Sequence, residues 1–210
     1  MSATDAESKR MLRRRMAATL GAMSPEALRI GSERAWRRAV GAGVFADGST
    51  VLLYAPIAGV PEVDLTGLAE ELVRRGCRVC MPRLDAGSRT MAAVRVGNLT
   101  TDLVADTASG LRGLRVARPG SPEIAAGELD VVVVPGVAFD RTGARLGRGA
   151  GYYDRFLAGL PGGRARRVAF AFDEQVVERV PMEAHDERVG VIVTPTEVIE
   201  VSVGEADARG

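Results

Sequence analysis

The chain has 210 residues, with 28 basic and 27 acidic side chains and a formal charge of +1. This balance is unlike the strongly charged surfaces that bind nucleic acids or anionic membranes. A chain of this length buries about 70% of its unfolded surface as one domain, so folding requires neither a disulfide nor a structural metal. We therefore expect a single domain over residues 1–210 and no nucleic-acid or membrane partner. The charge is compatible with a monomer or a weak homodimer.

Two ionisable residue types occur only once in the chain. Lys9 is the only lysine and His185 is the only histidine. A single lysine in an arginine-rich chain marks a position where a compact ammonium group is preferred to a planar guanidinium group. A single histidine argues against most catalytic zinc sites. The N-terminal segment lacks an apolar signal core, and its acids Asp5 and Glu7 are untypical of a transit peptide, so we expect a cytoplasmic protein.

The first part of the chain predicts two helices and then an alternation of strands and helices. Ser24 followed by Pro25 is typical of a helix start, and Gly76 is typical of a helix end. The apolar run before Pro56 is short and rich in strand-forming residues. The predicted elements are a helix to about Leu20, a helix from Ser24 to near Gly41 or Gly43, a strand over 50–56, a helix over 64–75 and a strand over 77–82.

The alternation continues in the second part of the chain. Residues 130–136, DVVVVPG, form a continuous branched run, as in a sheet buried on both faces. The further predicted elements are a strand over 91–96, a brief extended piece before residue 124, a helix from about 149–152, a strand over 166–172, a helix over 173–180 and a strand over 190–195. This order indicates an α/β fold, a mainly parallel open sheet flanked by helices in a Rossmann-like three-layer arrangement. We expect residues 202–210 to form a frayed tail.

Cys77 and Cys80 form a C-x-x-C pair, a spacing found in redox centres and in half of a metal site. A redox pair usually opens a helix, whose dipole lowers the thiol pKa. Here the pair follows a helix end and lies on a predicted strand, which places the two side chains on opposite faces. We therefore interpret both cysteines as small buried hydrophobes.

The segment 131–156 is the best candidate for a ligand site. It leaves the carboxyl end of a predicted strand, where open α/β sheets bind ligands, and then enters a helix. Glycines allow backbone N–H groups to converge on one point, the helix start is electropositive, and arginines bind phosphate oxygens in pairs. These features indicate an anion site, most plausibly for a nucleotide polyphosphate. The alternative is a tight turn that requires glycines, with solvated arginines. The residues concerned are Gly143, Arg145, Gly147, Arg148, Gly149 and Gly151.

Three carboxylates near predicted strand ends or helix starts have two interpretations each. Asp154 could bind Mg²⁺ together with phosphate oxygens, or it could be a favourable helix-start charge paired with an arginine. Asp186 could serve a ligand or be a turn residue. Glu62 could accept hydrogen bonds from a polar heterocycle, or be an acid at a helix start.

The most distinctive stretch is PGVAFDRTGARLGRGAGYYDRFL, residues 135–157. Three shorter pieces accompany it: K-R-x-L-R from Lys9 to Arg13, Glu62 after YAPI, and His185-Asp186 before GVIVTP. In order and spacing along nearly the whole chain, these pieces resemble the 5-formyltetrahydrofolate cyclo-ligase (methenyltetrahydrofolate synthetase) family.

The resemblance implies an ATP- and Mg²⁺-dependent ligase of one-carbon metabolism, with a reduced folate and ATP as small-molecule substrates. In that family 5-formyltetrahydrofolate becomes 5,10-methenyltetrahydrofolate, and ADP and phosphate are released. ATP phosphorylates the formyl oxygen, the neighbouring folate nitrogen attacks the formyl carbon, and phosphate departs. Phosphoryl transfer depends on positioning and charge neutralisation more than on a nucleophilic side chain, which suits a chain with one histidine.

The resemblance also implies a role for each matching residue. Lys9 and Arg148 would be catalytic, and Asp154 and Asp186 would hold Mg²⁺. The implied substrate-binding residues are Ile57, Glu62, Gly149 and Tyr152. The implied ATP-binding residues are Lys9, Arg13, Arg145, Leu146, Gly147, Arg148, Gly149, Ala150, Gly151, Tyr152 and Tyr153.

The chain departs from the family pattern in four places. Ala150 replaces the usual third glycine of G-R-G-G-G, which is tolerable at negative φ. Gly190 stands where the family often has Asp, Arg118 stands where Glu commonly precedes Pro, and no aromatic residue lies between Tyr54 and Phe139. Two other functions therefore stay open: a catalytically silent relative that binds nucleotide or RNA, and a phosphotransferase acting on another formyl or amide substrate.

Overall fold

The structure is a computed structural model and describes residues 3–55, 57–99, 101–105, 115–161 and 164–201. The helices are α1 (Ala3–Gly21), α2 (Pro25–Gly41), α3 (Thr66–Arg74) and α4 (Tyr152–Ala158). The strands are β1 (Thr50–Leu52), β2 (Arg78–Asp85), β3 (Thr90–Arg95), β4 (Leu103–Ala105), β5 (Arg115–Ala117), β6 (Glu123–Ile124), β7 (Val131–Val133), β8 (Ala138–Asp140), β9 (Arg145–Leu146), β10 (Arg166–Phe170), β11 (Val176–Val177), β12 (Val191–Val193) and β13 (Val198–Glu200). The tail predicted at 202–210 lies outside the described residues.

The main sheet has eight strands in the order β13-β12-β10-β7-β1-β2-β3-β6. Its centre, from β12 to β2, is parallel, whereas the pairings at both edges are antiparallel. The register places Val51 of β1 opposite Val79 of β2 on one side and Val131 of β7 on the other. The predicted α/β fold with a mainly parallel sheet is confirmed.

The chain reverses its direction of travel across the sheet between β1 and β7. From β1 it moves outward to β2 and β3, and it then returns to β7 and continues through β10 to β12. Such a switch point opens a crevice at the carboxyl ends of the strands, because the two connections leave on opposite sides. The topology therefore places a binding crevice beyond β1 and β7.

Alternate residues of the central strands enter different hydrophobic cores. In β1 and the residue after it, Val51 and Leu53 pack in one core, which α2 and α3 cover, whereas Leu52 packs in the other core with Leu157 of α4. Both faces of the sheet are therefore buried, as the branched run in β7 predicts. The cysteines follow the same rule, because buried Cys77 lies in the first core and buried Cys80 in the second. Burial raises the pKa of the Cys80 thiol to about 11, which keeps it protonated and unreactive.

Helix α1 packs on a separate small sheet of order β11-β8-β9. Leu12 and Met16 of the helix meet Ala138 and Leu146 of this sheet in a third apolar cluster. The sequence predicts only an irregular glycine-rich loop here, whereas the structure has the antiparallel β8–β9 hairpin. It lies directly between β7 and α4, and it carries the glycine-rich segment to the crevice.

The helix predicted over 173–180 is wrong. The structure has a single 3₁₀ turn, Asp173–Gln175, followed by β11, which pairs with β8. Gln175 is buried, and its amide nitrogen donates to the carbonyl oxygens of Gly136 and Val137 at 3.1 Å each. This tertiary contact stops the helix after one turn, and the β-branched residues that follow favour a strand.

The local signals at helix ends agree with the structure. The hydroxyl of Ser24 accepts a hydrogen bond from the Ala27 N–H at 3.1 Å, with Pro25 opening α2. Beyond α3, Gly76 adopts φ +74°, a left-handed conformation that favours glycine. Among the described residues, no helix is both long enough and apolar enough to cross a membrane.

Candidate active site

A cleft of about 230 Å³ opens at the carboxyl ends of β1 and β7, at the switch point of the sheet. Its apolar walls come from residues after β1, from β2 and from the residues after β7, and its polar rim comes from the glycine-rich segment. The residues lining it are Tyr54, Ala55, Ile57, Glu62, Pro82, Leu84, Pro135, Gly136, Arg145, Gly147, Arg148, Gly149, Ala150, Gly151, Tyr152, Tyr153 and Asp154.

The loop between β9 and α4 forms one side of the cleft. Gly149 and Gly151 adopt φ of +101° and +70°, which a residue with a side chain rarely does. Ala150 is not among the positive-φ residues of the described chain, so its methyl group introduces no strain there. The departure from the family's glycine run therefore falls at the position of this loop that tolerates it.

Arg145 and Asp154 form a buried ion pair at the base of this loop. The Nη2 atom of Arg145 lies 2.5 Å from Oδ1 of Asp154, and Nη1 donates to the carbonyl of Pro135 at 3.2 Å. Only 3% of the Arg145 side chain is exposed. Asp154 also accepts the Glu187 N–H at 3.3 Å. The pair fixes the start of α4 against β9, which agrees with the interpretation of Asp154 as a helix-start acid beside an arginine.

Lys9 points into an acidic pair on the segment that precedes β12. Its ammonium group lies 2.5 Å from Oδ2 of Asp186 and 3.5 Å from Oε1 of Glu183, and only 9% of its side chain is exposed. Burial alone would raise the pKa of Asp186, but hydrogen bonds from Lys9 and from the Glu183 N–H hold that pKa below its usual value. Asp186 is therefore ionised at neutral pH, and Lys9 is its counter-ion.

Glu62 and Arg148 form a third pair, across the mouth of the cleft. Oε1 of Glu62 accepts from Nη2 and Nε of Arg148 at 2.7 and 3.1 Å, and Oε2 accepts from the Ile57 N–H at 3.1 Å. The Glu62 side chain is 8% exposed, whereas that of Arg148 is 43% exposed. The carboxylate is thus fixed in the wall, and the guanidinium group lies over it from the solvent side.

Two tyrosines lie near Glu62 and differ in how their hydroxyl groups are used. The Tyr54 hydroxyl donates to the carbonyl of Val63 at 3.1 Å. The Tyr153 hydroxyl is buried and has no partner among the described residues, and the same holds for Nε of Arg145. Burial raises the pKa of Tyr153, an effect that Arg145 opposes and Glu62 reinforces. At neutral pH Tyr153 is therefore a neutral hydrogen-bond donor.

A second cavity, of about 360 Å³, adjoins the cleft beneath α1. Gly136 and Arg148 line both spaces. Arg13 of α1 also lines the second cavity, and its Nε donates to the carbonyl of Gly147 at 2.9 Å, which joins the helix to the loop. The site therefore consists of two adjoining chambers with Arg148 at their junction.

Comparison with known proteins identifies this arrangement. A family model described as the 5-formyltetrahydrofolate cyclo-ligase family matches residues 5–195. The chain is 35% identical over 173 residues to the 5-formyltetrahydrofolate cyclo-ligase of Mycolicibacterium smegmatis. The aligned region covers 81% of this chain and 86% of that protein. It is 33% identical over 154 residues to the enzyme of the same name from Escherichia coli K12, covering 72% and 80%.

The chain belongs to the 5-formyltetrahydrofolate cyclo-ligase family. A solved structure agrees, since that of Aquifex aeolicus 5,10-methenyltetrahydrofolate synthetase matches with a TM-score of 0.78 at 31% identity, over 94% of this chain and 95% of that one. The resemblance inferred from the sequence and the assignment to a family of ligases are both confirmed.

Most of the site residues expected from the cyclo-ligase resemblance lie together in the cleft. Four do not line it: Arg13 lines the second cavity, Lys9 and Asp186 pair with each other, and the Leu146 side chain packs in the core beneath α1. Leu146 can contribute only its backbone to a ligand. Glu183 was not identified from the sequence, although its position two residues before the His185-Asp186 pair was a signal that could have suggested a partner for the only lysine.

The cyclo-ligase resemblance also implies Mg²⁺, and the donor set can be tested for it. Within the described residues, no group of three or more histidine, cysteine, aspartate or glutamate side chains could hold a metal. Asp154 lines the cleft, and in the described part of the chain only its Oδ1 atom is engaged. Mg²⁺ in nucleotide sites uses one or two carboxylates with phosphate oxygens. Asp154 fits such a shared ion, and a site made only of protein ligands does not.

Proposed function

We propose that the chain converts 5-formyltetrahydrofolate to 5,10-methenyltetrahydrofolate and consumes ATP, with Mg²⁺ as the metal. The formyl oxygen takes the γ-phosphoryl group of ATP, and ADP is released. The neighbouring folate nitrogen then attacks the formyl carbon and loses its proton, and phosphate departs with the former formyl oxygen. The reaction needs no nucleophilic side chain, which agrees with the described lining of the cleft, where arginines, tyrosines and carboxylates occur but no serine, cysteine or histidine.

The observation that carries this proposal is the pair of adjoining chambers in a chain of the cyclo-ligase family. A reaction between two substrates requires two binding spaces whose reacting ends meet. Gly136 and Arg148 line both spaces, so the two chambers meet at these residues. We assign the more apolar cleft to the folate ring and the chamber beneath α1 to the nucleotide.

On the nucleotide side, Arg13 and Arg148 supply guanidinium groups in the chamber beneath α1. The 147–151 loop lines the folate cleft up to the junction at Arg148, where its backbone N–H groups would meet the phosphate end of the nucleotide. Arginine pairs well with phosphate oxygens, and a glycine-rich loop before a helix favours an anion. Lys9 lies one helical turn from Arg13. In the proposed role, Lys9 and Arg148 neutralise the charge that develops on the transferring phosphoryl group.

On the folate side, Glu62 accepts hydrogen bonds from the N–H groups of the pteridine ring, and Ile57 and Tyr152 pack against the ring. Glu62 is suited to this role because Ile57 N–H already orients it and because little of its side chain is exposed. Arg148 must leave Glu62 before the ring N–H groups can reach Oε1.

Asp154 is the residue that would hold Mg²⁺ through its second carboxylate oxygen, with Asp186 as a further candidate. The ion would neutralise phosphate charge when the nucleotide is bound. Asp186 requires a change of partner for this role, because its Oδ2 atom already accepts from Lys9 and from the Glu183 N–H.

The test is a spectrophotometric assay with purified protein, 5-formyltetrahydrofolate, ATP and Mg²⁺, following the absorbance of the methenyl product. We expect product that requires both ATP and the metal, and ADP formation that requires the folate. Omission of ATP, of metal and of folate in turn provides the controls.

Three other outcomes would contradict the proposal. Nucleotide binding without turnover indicates a silent relative. ADP formation with another formyl or amide acceptor, but without a methenyl product, indicates a different phosphotransferase. If the protein shows no turnover and calorimetry detects no ATP binding, the proposed nucleotide site itself is wrong.

A further inference from the structure

The Tyr153 hydroxyl group is a buried donor without a hydrogen-bond partner among the described residues. Among the described residues, only two buried side-chain polar atoms lack a hydrogen bond, this hydroxyl and Nε of Arg145. Both residues line the folate cleft. Leaving a buried polar group unpaired costs about 1–3 kcal/mol, so such an atom at a binding cleft indicates an acceptor on the ligand.

The surroundings of Tyr153 distinguish a neutral acceptor from a phosphate. Tyr153 lies within electrostatic range of Arg145, Glu62 and Tyr54, and the charge of Arg145 is already paired with Asp154. The cleft that Tyr153 lines also has apolar surface from Pro82 and Leu84. A fixed carboxylate and an apolar wall disfavour a polyphosphate chain, whereas they suit a flat heterocycle. Of the two arginines that suit phosphate, Arg13 lines only the adjoining chamber and Arg148 lies at the junction of the two spaces.

The chemistry of the two orphan donors differs. Arg145 is a permanent cation whose other nitrogens bond to Asp154 and Pro135, and it cannot be replaced without breaking a buried ion pair. Tyr153 is held neutral by burial and makes no other side-chain hydrogen bond in the described structure. Its hydroxyl can therefore be assigned to a ligand, and it can be removed without breaking another contact.

We propose that the Tyr153 hydroxyl donates a hydrogen bond to the formyl oxygen of the folate substrate, and so selects folates that carry an oxygen acceptor on N5. This inference rests on the proposed function and assigns to Tyr153 a substrate contact in place of the nucleotide contact that the family resemblance implies. The donor orients the carbonyl group towards the junction with the nucleotide chamber. The same bond then supports that oxygen as it departs with phosphate.

The experiment is a binding cycle in which the hydroxyl group of the enzyme and the carbonyl group of the substrate are removed, separately and together. Calorimetry measures the Kd of 5-formyltetrahydrofolate and of 5-methyltetrahydrofolate, which lacks the acceptor, for the wild type and for Tyr153→Phe. We expect Tyr153→Phe to weaken binding of the formyl compound about 5–10-fold, which corresponds to the loss of one hydrogen bond. Binding of the methyl compound should stay unchanged within about 2-fold. The kcat/KM for the formyl substrate should fall by at least the same factor.

The matched control is Tyr54→Phe, which removes an equally buried hydroxyl that already donates to Val63. We expect it to lower the free energy of unfolding and to leave the formyl-to-methyl selectivity ratio unchanged. A control that changes the ratio as much as Tyr153→Phe would show a general effect of the cleft and overturn the assignment.

The remaining outcomes separate this inference from the proposed function. If Tyr153→Phe weakens ADP and leaves both folates unchanged, the hydroxyl serves the nucleotide. If the wild type turns over substrate but does not discriminate between the two folates, the inference is overturned even when the variant fails to fold. If the wild type binds neither folate and makes no product, the proposed function is overturned together with it.

Discussion

The site contains two kinds of ion pair, and the contrast between them separates the rigid part of the cleft from the movable part. In Lys9–Asp186 and Arg145–Asp154 both side chains are largely buried, and the carboxylates also accept backbone N–H groups. In Arg148–Glu62 only the carboxylate is buried. The first two pairs join α1 and α4 to the rest of the fold, whereas the third joins a loop to the cleft wall.

The energetics of burial explain why this contrast matters for function. Removing one partner of a buried pair leaves an uncompensated charge and costs about 3–5 kcal/mol, whereas a pair with a solvent-exposed partner is worth about 0–1 kcal/mol. Lys9 and Arg145 are therefore fixed in place by folding. Arg148 can exchange Glu62 for a phosphate group at little cost, which makes it the cation best suited to respond to the nucleotide.

The largest effect should come from Lys9→Ala, which breaks a fixed pair. We expect kcat/KM to fall by about 2–4 kcal/mol of transition-state stabilisation and the free energy of unfolding to fall by about 3 kcal/mol. Because Lys9 holds the pKa of Asp186 below 3.8, its stabilisation is present above about pH 4 and is lost as the pH falls through the folded-state pKa.

Urea unfolding of wild type and Lys9→Ala at several pH values checks this sign. The difference in stability should be full at pH 7 and should shrink as the pH falls through the lowered pKa of Asp186 and the carboxylate becomes protonated. A difference that does not change with pH would mean that Lys9 acts through packing. Near-wild-type activity would move the phosphate site away from α1.

Arg148→Ala should affect catalysis as much as Lys9→Ala but stability much less. We expect a loss of about 2–4 kcal/mol in kcat/KM, because a phosphate-facing donor is removed. The free energy of unfolding should fall by about 1 kcal/mol or less, because the Glu62 carboxylate keeps the Ile57 N–H and gains access to water. A stability loss equal to that of Lys9→Ala would remove the distinction between fixed and movable pairs.

Glu62→Gln should change the affinities for the two substrates in opposite directions. The amide still accepts the Ile57 N–H but loses its charge, so we expect folate to bind about 10-fold more weakly. Nucleotide should bind about 2–3-fold more tightly, since Arg148 no longer has to leave a carboxylate. Calorimetry with each substrate measures both changes.

A double variant provides the control for this exchange. In an Arg148→Ala background, Glu62→Gln should still weaken folate binding, but the gain in nucleotide affinity should vanish. A gain that persists without Arg148 would show that Glu62 repels the nucleotide directly.

Much of the fold could be predicted from the sequence, but the difference between fixed and movable ion pairs could not. The branched run of β7, the Ser24-Pro25 start and the C-x-x-C alternation are local patterns, and the structure agrees with each. Contacts between segments that are distant in the sequence leave no such local pattern. Glu62 and Arg148 are 86 residues apart, and Lys9 and Asp186 are 177 apart, so only the folded chain reveals which carboxylate each cation meets.

The error at 173–180 has the same origin. The apolar spacing there fits a helical face, but the Gln175 side chain bonds to the residues after β7 and the following valines join β8. A competing tertiary contact therefore decided the local structure, and it did so at the wall of the cavity beneath α1, which Gln175 also lines. Most of the residues that the family resemblance implies lie close together in the fold, but the resemblance carried no information about their pairing.

The smallest expected effects concern residues 149–151, which connect the movable Arg148 to the fixed Asp154. Ala150→Gly should lower the free energy of unfolding by about 0.5–1 kcal/mol, because glycine adds backbone freedom to the unfolded chain. Gly151→Ala should cost about 1–2 kcal/mol, because its φ is +70° and a methyl group there would meet the Arg155 side chain. Urea unfolding compares the two. Equal losses would mean that backbone conformation does not distinguish the two positions, whereas the expected order would show that the loop needs glycine at 151 and accepts alanine at 150.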